Sequence, residues 1–212
     1  MSFITNPAEI EIRSFEIIAE GLAGRQFPLQ NENVIKRVIH TTADFDYADN
    51  LFFSEGAVEA AKTALKSGAR IVTDTQMARA GINKKATGEL GCSLQCFIDA
   101  PEIFAIARAN GHTRARAAVD YAAETLEAPV IFIAGNAPTA LIRLYELVIE
   151  GKFSPAMIIG APVGFVNVVE SKELILRLSI PHIVAKGQKG GSNVAAAICN
   201  ALLYEATERA LG

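Results

Sequence analysis

The sequence predicts an α/β fold, a three-layer domain in which a mainly parallel central sheet is flanked by helices. Short continuous apolar runs and the alanine-rich stretches that alternate with them indicate this class. Four runs predict buried strands, at 70–74, 129–135, 156–160 and 181–186. Runs without polar–apolar alternation are typical of strands covered on both faces, as in parallel sheets. The segment 93–98 is a weaker strand candidate because its alternation is mixed.

Helices are predicted beside these runs by alanine-rich or amphipathic patterns. They are expected at 7–21, 54–68, 113–127, 139–151 and 192–211. Within the second of them, Ser54 is the expected N-cap and Gly68 the expected residue just past the C-terminus. The chain shows no internal repeat and no linker, so residues 1–212 are expected to form a single domain.

Composition excludes several classes of protein. The chain has 212 residues, of which 50% are hydrophobic, and its 20 Lys+Arg against 23 Asp+Glu give a formal net charge of −3. This balance argues against a nucleic-acid binder. No apolar run approaches the roughly 20 residues of a membrane helix, and the first residues lack the apolar segment of a secretory signal. Three cysteines indicate a reducing compartment, so we expect a cytoplasmic protein that does not bind membranes.

The segments that follow the predicted strands are rich in glycine and polar residues. Residues 135–141 and 160–165 follow two of the strands, and 186–192 leads from a third strand directly into a helix. Backbone N–H groups, a helix N-terminus and two lysines in that last segment are typical of an anion site. Since no nucleotide motif of the G-x-G-x-x-G or P-loop type occurs, a ligand with several carboxylates is favoured over a pyrophosphate. Ordinary tight turns are the alternative interpretation.

His40 is the candidate acid–base residue. Arg37 precedes it by three positions and aspartates follow within 44–46, a local cluster that can tune an imidazole near neutral pH. A structural, hydrogen-bonding histidine is the alternative. His112 is expected in a loop and His182 in a buried strand. The histidine and cysteine spacings predict no metal site, and the cysteines lie in apolar surroundings typical of unreactive thiols.

Three motifs are the most specific part of the sequence: Gly135-Asn-Ala-Pro-Thr-Ala-Leu141, Pro162-Val-Gly-Phe-Val166 and Glu170-Ser-Lys172. Together with stretches at 12–18, 37–40, 73–82, 111–115 and 187–192, they resemble the precorrin-8X methylmutase family of cobalamin biosynthesis, also called cobalt-precorrin-8 methylmutase. The resemblance runs in the family's order along nearly the whole chain.

This resemblance implies an isomerase that moves a methyl group between adjacent ring carbons of precorrin-8X, or cobalt-precorrin-8, to give hydrogenobyrinate or cobyrinate. The rearrangement needs no cofactor. The resemblance also implies a homodimer with sites near the subunit interface, a corrinoid substrate and His40 as the catalytic general acid. The implied substrate-binding residues are Ser14, Arg37, Gln76, Thr113, Arg114, Gly135, Asn136, Lys186, Gly187, Gly190, Gly191 and Ser192.

Two other functions compete with this one. A phosphate- or nucleotide-dependent α/β enzyme would use the loop at 186–192 for phosphate and would not depend on His40. A non-catalytic corrinoid carrier would bind the macrocycle equally well after His40→Ala and would show no turnover. Turnover of a corrinoid that is lost in His40 variants distinguishes the enzyme from both alternatives.

Overall fold

The computed structural model describes residues 3–127 and 129–209. Its strands are β1 (Leu51–Phe53), β2 (Arg70–Thr73), β3 (Ser93–Gln95), β4 (Val130–Ala134), β5 (Met157–Gly160) and β6 (His182–Ala185). They form one six-stranded sheet in the order β1-β6-β5-β4-β2-β3. All neighbouring strands are parallel except β1, which runs antiparallel to β6. The predicted α/β class with a mainly parallel sheet is confirmed.

The described residues also form helices on both sides of this sheet. These are α1 (Pro7–Gly21), α2 (Leu29–Thr42), α3 (Tyr47–Asn50), α4 (Ala57–Lys66), α5 (Gln76–Gly81), α6 (Lys84–Glu89), α7 (Pro101–Asn110), α8 (Arg114–Thr125), α9 (Pro138–Ile149), α10 (Val168–Ile175) and α11 (Ser192–Ala206). The helix predicted at 7–21 is found with the same bounds, and the helix predicted at 192–211 ends at Ala206, with 210–212 outside the described residues.

The three layers follow from the two faces of the central strands. All five residues of β4 are buried. Ile131 and Ile133 belong to the apolar cluster that also contains residues of α2, α4 and α11. Val130 and Phe132 belong to the opposite cluster, with residues of α8, α9 and α10. A strand buried on both faces needs apolar residues at every position, which explains the continuous apolar run.

Helix α4 begins later than the sequence predicts. Its N-cap is Gly56, at φ 67°, and Ser54 does not cap it. Instead, the Ser54 hydroxyl accepts a hydrogen bond from the backbone N–H of His182 at 2.8 Å, and the Ser54 N–H donates to the His182 carbonyl at 2.9 Å. Ser54 therefore extends the pairing of the short edge strand β1, which leaves its side chain engaged with the sheet.

Helix α2 is the main element that the sequence analysis omits. It buries Val34, Ile35, Val38 and Ile39, which pack towards α11 in one apolar cluster. Its start lacks a polar cap, since Pro28 occupies the N-cap position without a side-chain hydrogen bond. This helix matters for function because His40 lies in its last turn.

Gly190 permits a close approach between two backbone segments at the carboxyl edge of the sheet. A Cβ at this position would collide with the carbonyl oxygen of Ala161 and lie 2.6 Å from that of Pro162. Both obstacles are backbone atoms, which move less easily than the end of a side chain. The loop before α11 therefore lies against the loop after β5 only with glycine at position 190.

We expect Gly190→Ala to lower the free energy of unfolding by about 1–3 kcal/mol, because the new methyl group overpacks a backbone contact. Gly88→Ala in α6 is the matched control, since a Cβ there meets nothing within 4 Å. Alanine is the better helix former by up to about 1 kcal/mol, so the control is expected to keep or gain stability. Urea unfolding of both variants checks this, and equal midpoints would contradict it.

Candidate active site

Asp74 organises the edge of the sheet at which parallel strands end. It directly follows β2, is 3% exposed, and its carboxylate accepts hydrogen bonds from the backbone N–H groups of Gly135, Asn136 and Ala137, each at 2.8 Å. Burial raises the pKa of Asp74, and the three N–H donors oppose that shift. The N–H groups of the turn at Gly135 and Asn136 thus bind the protein's own carboxylate. Asp74 is not among the site residues predicted from the sequence, although its place directly after a buried strand was a signal.

Four of the residues implied as substrate contacts line one cavity beside this turn. The cavity has a volume of about 490 Å³, and its walls include Gln76, Thr113, Arg114 and Asn136. Thr113 caps α8, because its hydroxyl accepts the N–H of Arg116 at 3.2 Å. The starts of α5 and α8 and the turn before α9 therefore lie next to one another around this cavity.

Arg114 is held in this cavity by weak interactions. Its guanidinium donates to the carboxylate of Asp99 at 3.1 Å and lies 4.6 Å from the ring centroid of Phe104. The side chains of the ion pair are 45% and 56% exposed. An ion pair of this kind contributes about 0–1 kcal/mol, so an incoming carboxylate can replace Asp99 at little cost.

The loop 186–191 lies next to the Asp74 turn. The N–H of Gly191 donates to the Ala161 carbonyl at 2.8 Å. Ser192, the first residue of α11, is hydrogen-bonded through its hydroxyl to that of Thr75 at 2.8 Å. Gly135 packs closely on Ser192, since a Cβ at Gly135 would lie 2.8 Å from the Ser192 Cα. The glycine loops that the sequence analysis singled out are therefore neighbours.

The lysines of this loop have different surroundings. Lys186 and Gly187, which follow β6, are exposed. Lys189 donates from its ammonium group to the carboxylates of Asp44 at 2.6 Å and Asp46 at 2.7 Å. These hydrogen bonds raise the pKa of Lys189 and lower that of Asp44. The two aspartates, which the sequence places near His40, thus bind the loop before α11.

His40 is exposed and lies in the last turn of α2, where this helix contacts α1. Its ring stacks on Phe15, with centroids 5.1 Å apart and planes 9° from parallel. It lines a cavity of about 280 Å³ together with Ser14 and Phe45. The Ser14 hydroxyl donates to the Ile10 carbonyl at 2.7 Å. The imidazole is therefore oriented by an aromatic ring that sequence analysis did not select, and it remains open to a ligand.

Arg37 lies one turn before His40 and is mostly buried. Its guanidinium donates to the Glu11 carboxylate at 3.0 Å and lies between two aromatic rings, 4.8 Å from that of Phe15 and 5.2 Å from that of Tyr204. Partial burial and the positive charge of Arg37 lower the pKa of His40, and Glu11 acts in the opposite direction. The imidazole in the free protein thus favours its neutral form more than a histidine in water does.

The predicted site residues fall into two groups in this chain. Ser14, Arg37 and His40 form the helix-pair group on α1 and α2, and the others form the sheet-edge group. His40 and Arg114 line two different cavities, of about 280 Å³ and 490 Å³ respectively. Lys189 connects the two groups, because it belongs to the sheet edge and binds the segment just after α2.

His182 and Cys199 are buried in the protein core, whereas His112 is exposed in a loop. His182 is buried in β6, stacks on Phe52 with centroids 5.7 Å apart, and donates from Nδ1 to the Ile180 carbonyl at 2.8 Å. Burial raises the pKa of Cys199 to about 12. Within 3–127 and 129–209, no group of three or more His, Cys, Asp or Glu side chains is placed to hold a metal ion.

None of the helices in the described residues is both long enough and apolar enough to cross a membrane.

Comparisons with known proteins agree with this architecture. The family model for precorrin-8X methylmutase matches residues 9–205. The cobalt-precorrin-8 methylmutase of Salmonella typhimurium is 45% identical over 214 residues, which cover 98% of this chain and 100% of that protein. The precorrin-8X methylmutase of Pseudomonas aeruginosa is 39% identical, with 99% of each chain covered.

Solved structures give the same result. The crystal structure of precorrin-8X methylmutase from Thermus thermophilus superimposes with a TM-score of 0.89 at 40% sequence identity. The superposition covers 95% of this chain and 97% of that one. The family model spans most of the chain, and relatives well above 30% identity match it along nearly their whole length. The chain belongs to the precorrin-8X methylmutase family.

Proposed function

We propose that His40 is the general acid of the methyl shift. The activity itself is that of the family, a methylmutase and hence an isomerase that acts on precorrin-8X in cobalamin biosynthesis. The observation that carries the assignment of His40 is its setting: an exposed imidazole, stacked flat on Phe15, at the mouth of a cavity. A flat macrocycle can approach such a ring from the open side.

The proposed step is a proton transfer coupled to a rearrangement. His40 in its protonated form donates a proton to the macrocycle, and the methyl group then moves with its bonding electrons to the neighbouring ring carbon. Substrate and product are isomers, so this proton returns to His40 when the product forms. One positioned acid supplies typically about 10²- to 10⁴-fold in rate, and no activated nucleophile is needed.

Arg37 and Arg114 are the proposed binding partners for carboxylate arms of the substrate. Arg37 is paired with Glu11 and Arg114 with Asp99 in the free protein. We propose that substrate carboxylates replace both acidic partners, each charge-assisted hydrogen bond contributing about 1.5–3 kcal/mol once shielded from water. A substrate carboxylate in place of Glu11 keeps a negative charge beside Arg37, so the opposing effect that Glu11 has on the lowered pKa of His40 is retained in the complex.

The remaining proposed contacts come from both groups, most of them from the sheet-edge group. We propose that Gln76, Thr113 and Asn136 bind substrate from the wall of the 490 Å³ cavity, and that Ser14 does so beside His40. The loop formed by Lys186, Gly187, Gly190, Gly191 and Ser192 would contact further arms through its exposed residues.

We propose that the active site is completed in a homodimer. The cavity beside His40, at about 280 Å³, is smaller than the roughly 300–1,000 Å³ of an ordinary ligand pocket, whereas a tetrapyrrole is a large ligand. The cavity at Arg114 is separate from it. Half-exposed Ile10 and Ile17 on α1, and Phe165 and Val166 after β5, supply apolar surface for a second copy.

We infer a cytoplasmic location, which the three unbridged cysteines at 92, 96 and 199 support.

The competing phosphate-binding function has less support, because the positive charge of Lys189 is already neutralised by Asp44 and Asp46. Deleting the imidazole tests the other competitor, the corrinoid carrier.

We expect His40→Asn to reduce turnover of precorrin-8X by about 10²- to 10⁴-fold, because the positioned acid is lost. The change in the visible absorbance spectrum on mixing enzyme and substrate measures this. His112→Asn, at an exposed loop position, is the matched control and should retain activity. Undiminished turnover by His40→Asn would show that another group is the acid.

The titration of His40 can be followed by NMR through its ring C2 proton. We expect the pKa of His40 in the free protein to lie below the ordinary histidine value, because of partial burial and Arg37. Arg37→Met should raise this pKa and Glu11→Gln should lower it further, since the two charges act in opposite directions. Shifts of the same sign in both variants would disprove this electrostatic account.

Mixing two inactive variants tests the shared site. If His40 and Arg114 of one site come from different subunits, exchange of subunits between His40→Ala and Arg114→Ala dimers restores about a quarter of wild-type activity. Light scattering after size-exclusion chromatography is expected to give twice the mass of the chain. A monomer in solution, or a mixture that stays inactive after proven exchange, would refute the proposal.

A further inference from the structure

Lys172 is a buried cation outside the site described above. It lies on α10, is 1% exposed and ranks among the largest fully buried side chains. Among the described residues, no carboxylate lies within 4.0 Å of its ammonium group. Burying a charge without an opposite charge is costly, and burial lowers the pKa of Lys172 to about 8. A methionine would fill the same space without this cost.

The ammonium group of Lys172 binds the loop 186–191. It donates hydrogen bonds to the carbonyl oxygens of Gly187 at 2.6 Å and Lys189 at 2.8 Å. Both residues are exposed, whereas the ammonium group that their carbonyls accept from is buried. The two hydrogen bonds therefore fix how the loop lies against α10.

A short series of contacts links this loop to the helix that carries His40. Lys189, whose carbonyl binds Lys172, places its own ammonium group on Asp44 and Asp46. Asp44 follows α2 by two residues, and its N–H donates to the Thr42 hydroxyl at 3.3 Å. His40 lies in the last turn of the same helix.

We propose that Lys172 is a positioning residue of the methyl shift: by binding the Gly187 and Lys189 carbonyls it directs Lys189 to Asp44 and Asp46, which holds the end of α2 and the His40 ring in place. This inference rests on the proposed role of His40. The charged groups in this series of contacts are Lys172 from α10, Lys189 from the loop, and Asp44 and Asp46 from the segment after α2.

Lys172→Met is the direct test, with Lys85→Met at an exposed position of α6 as the matched control. We expect Lys172→Met to reduce kcat by about ten- to a hundredfold, the loss that a small misplacement of a catalytic group causes. Its urea midpoint should change little, because the loss of two hydrogen bonds is offset by the removal of a buried charge that has no opposite charge beside it. Lys85→Met should change neither quantity. Wild-type kcat in Lys172→Met, or a kcat loss matched by a lower midpoint, would overturn the proposal.

Hydrogen exchange gives a readout that does not depend on activity. Lys172→Met should speed exchange at 186–191 and 40–46, and it should leave β4 and α9 unchanged. These rates report the loop even if His40→Asn remained active, so a failure of the proposed function is distinguishable from a failure of this inference. Faster exchange spread over the whole chain, or none at 40–46, would count against a positioning role.

The exposed contacts of Lys189 with Asp44 and Asp46 can be tested by a second variant. Asp44→Asn with Asp46→Asn removes both partners of Lys189 and leaves the core intact. We expect a kcat loss similar to that of Lys172→Met, and no further loss when all three changes are combined, because the groups act in series. Losses that multiply in the triple variant would show that Lys172 acts by another route.

Discussion

The carboxyl edge of the sheet depends on hydrogen bonds between buried charged side chains and the backbone of the loops that follow the strands. Where a strand ends, its backbone groups lose their partners in the sheet and need others. Asp74 accepts three N–H groups of the turn after β4, and Lys172 donates to two carbonyls of the loop after β6. Charge-assisted hydrogen bonds are stronger than neutral ones, so two side chains order two loops.

The arginines of the proposed site show a different use of charge. Arg37 and Arg114 each hold an acidic partner in the free protein, Glu11 and Asp99 respectively. Each ion pair keeps the guanidinium group in place and gives its N–H donors a carboxylate partner while no substrate is bound. Exchange of one carboxylate for another changes the local charge little, which keeps the cost of binding a polyanion low. These ion pairs thus support the proposed binding of a ligand with many acidic arms.

Particular elements show what the sequence could and could not predict. The central strands β4, β5 and β6 were predictable because each is mostly apolar and is buried at every position. Strand β1 has three residues, too few for a periodic pattern, and it exists through pairing with β6. Helix α2 has Pro28 at its N-cap position and no polar cap, so its start carries no such signal in the sequence. Phe15 was missed because stacking on His40 joins two separate helices.

The sequence by itself determined the α/β class and the family, since apolar runs and contiguous motifs are local properties of the chain. Only the tertiary structure decided that Asp44 and Asp46 bind Lys189 and not His40, that the turn at Gly135 holds Asp74, and that the expected site residues form two groups. The physical reason is that hydrogen bonds and ion pairs act over about 3 Å, and proximity at that scale between residues far apart in the chain is set by how helices and strands pack.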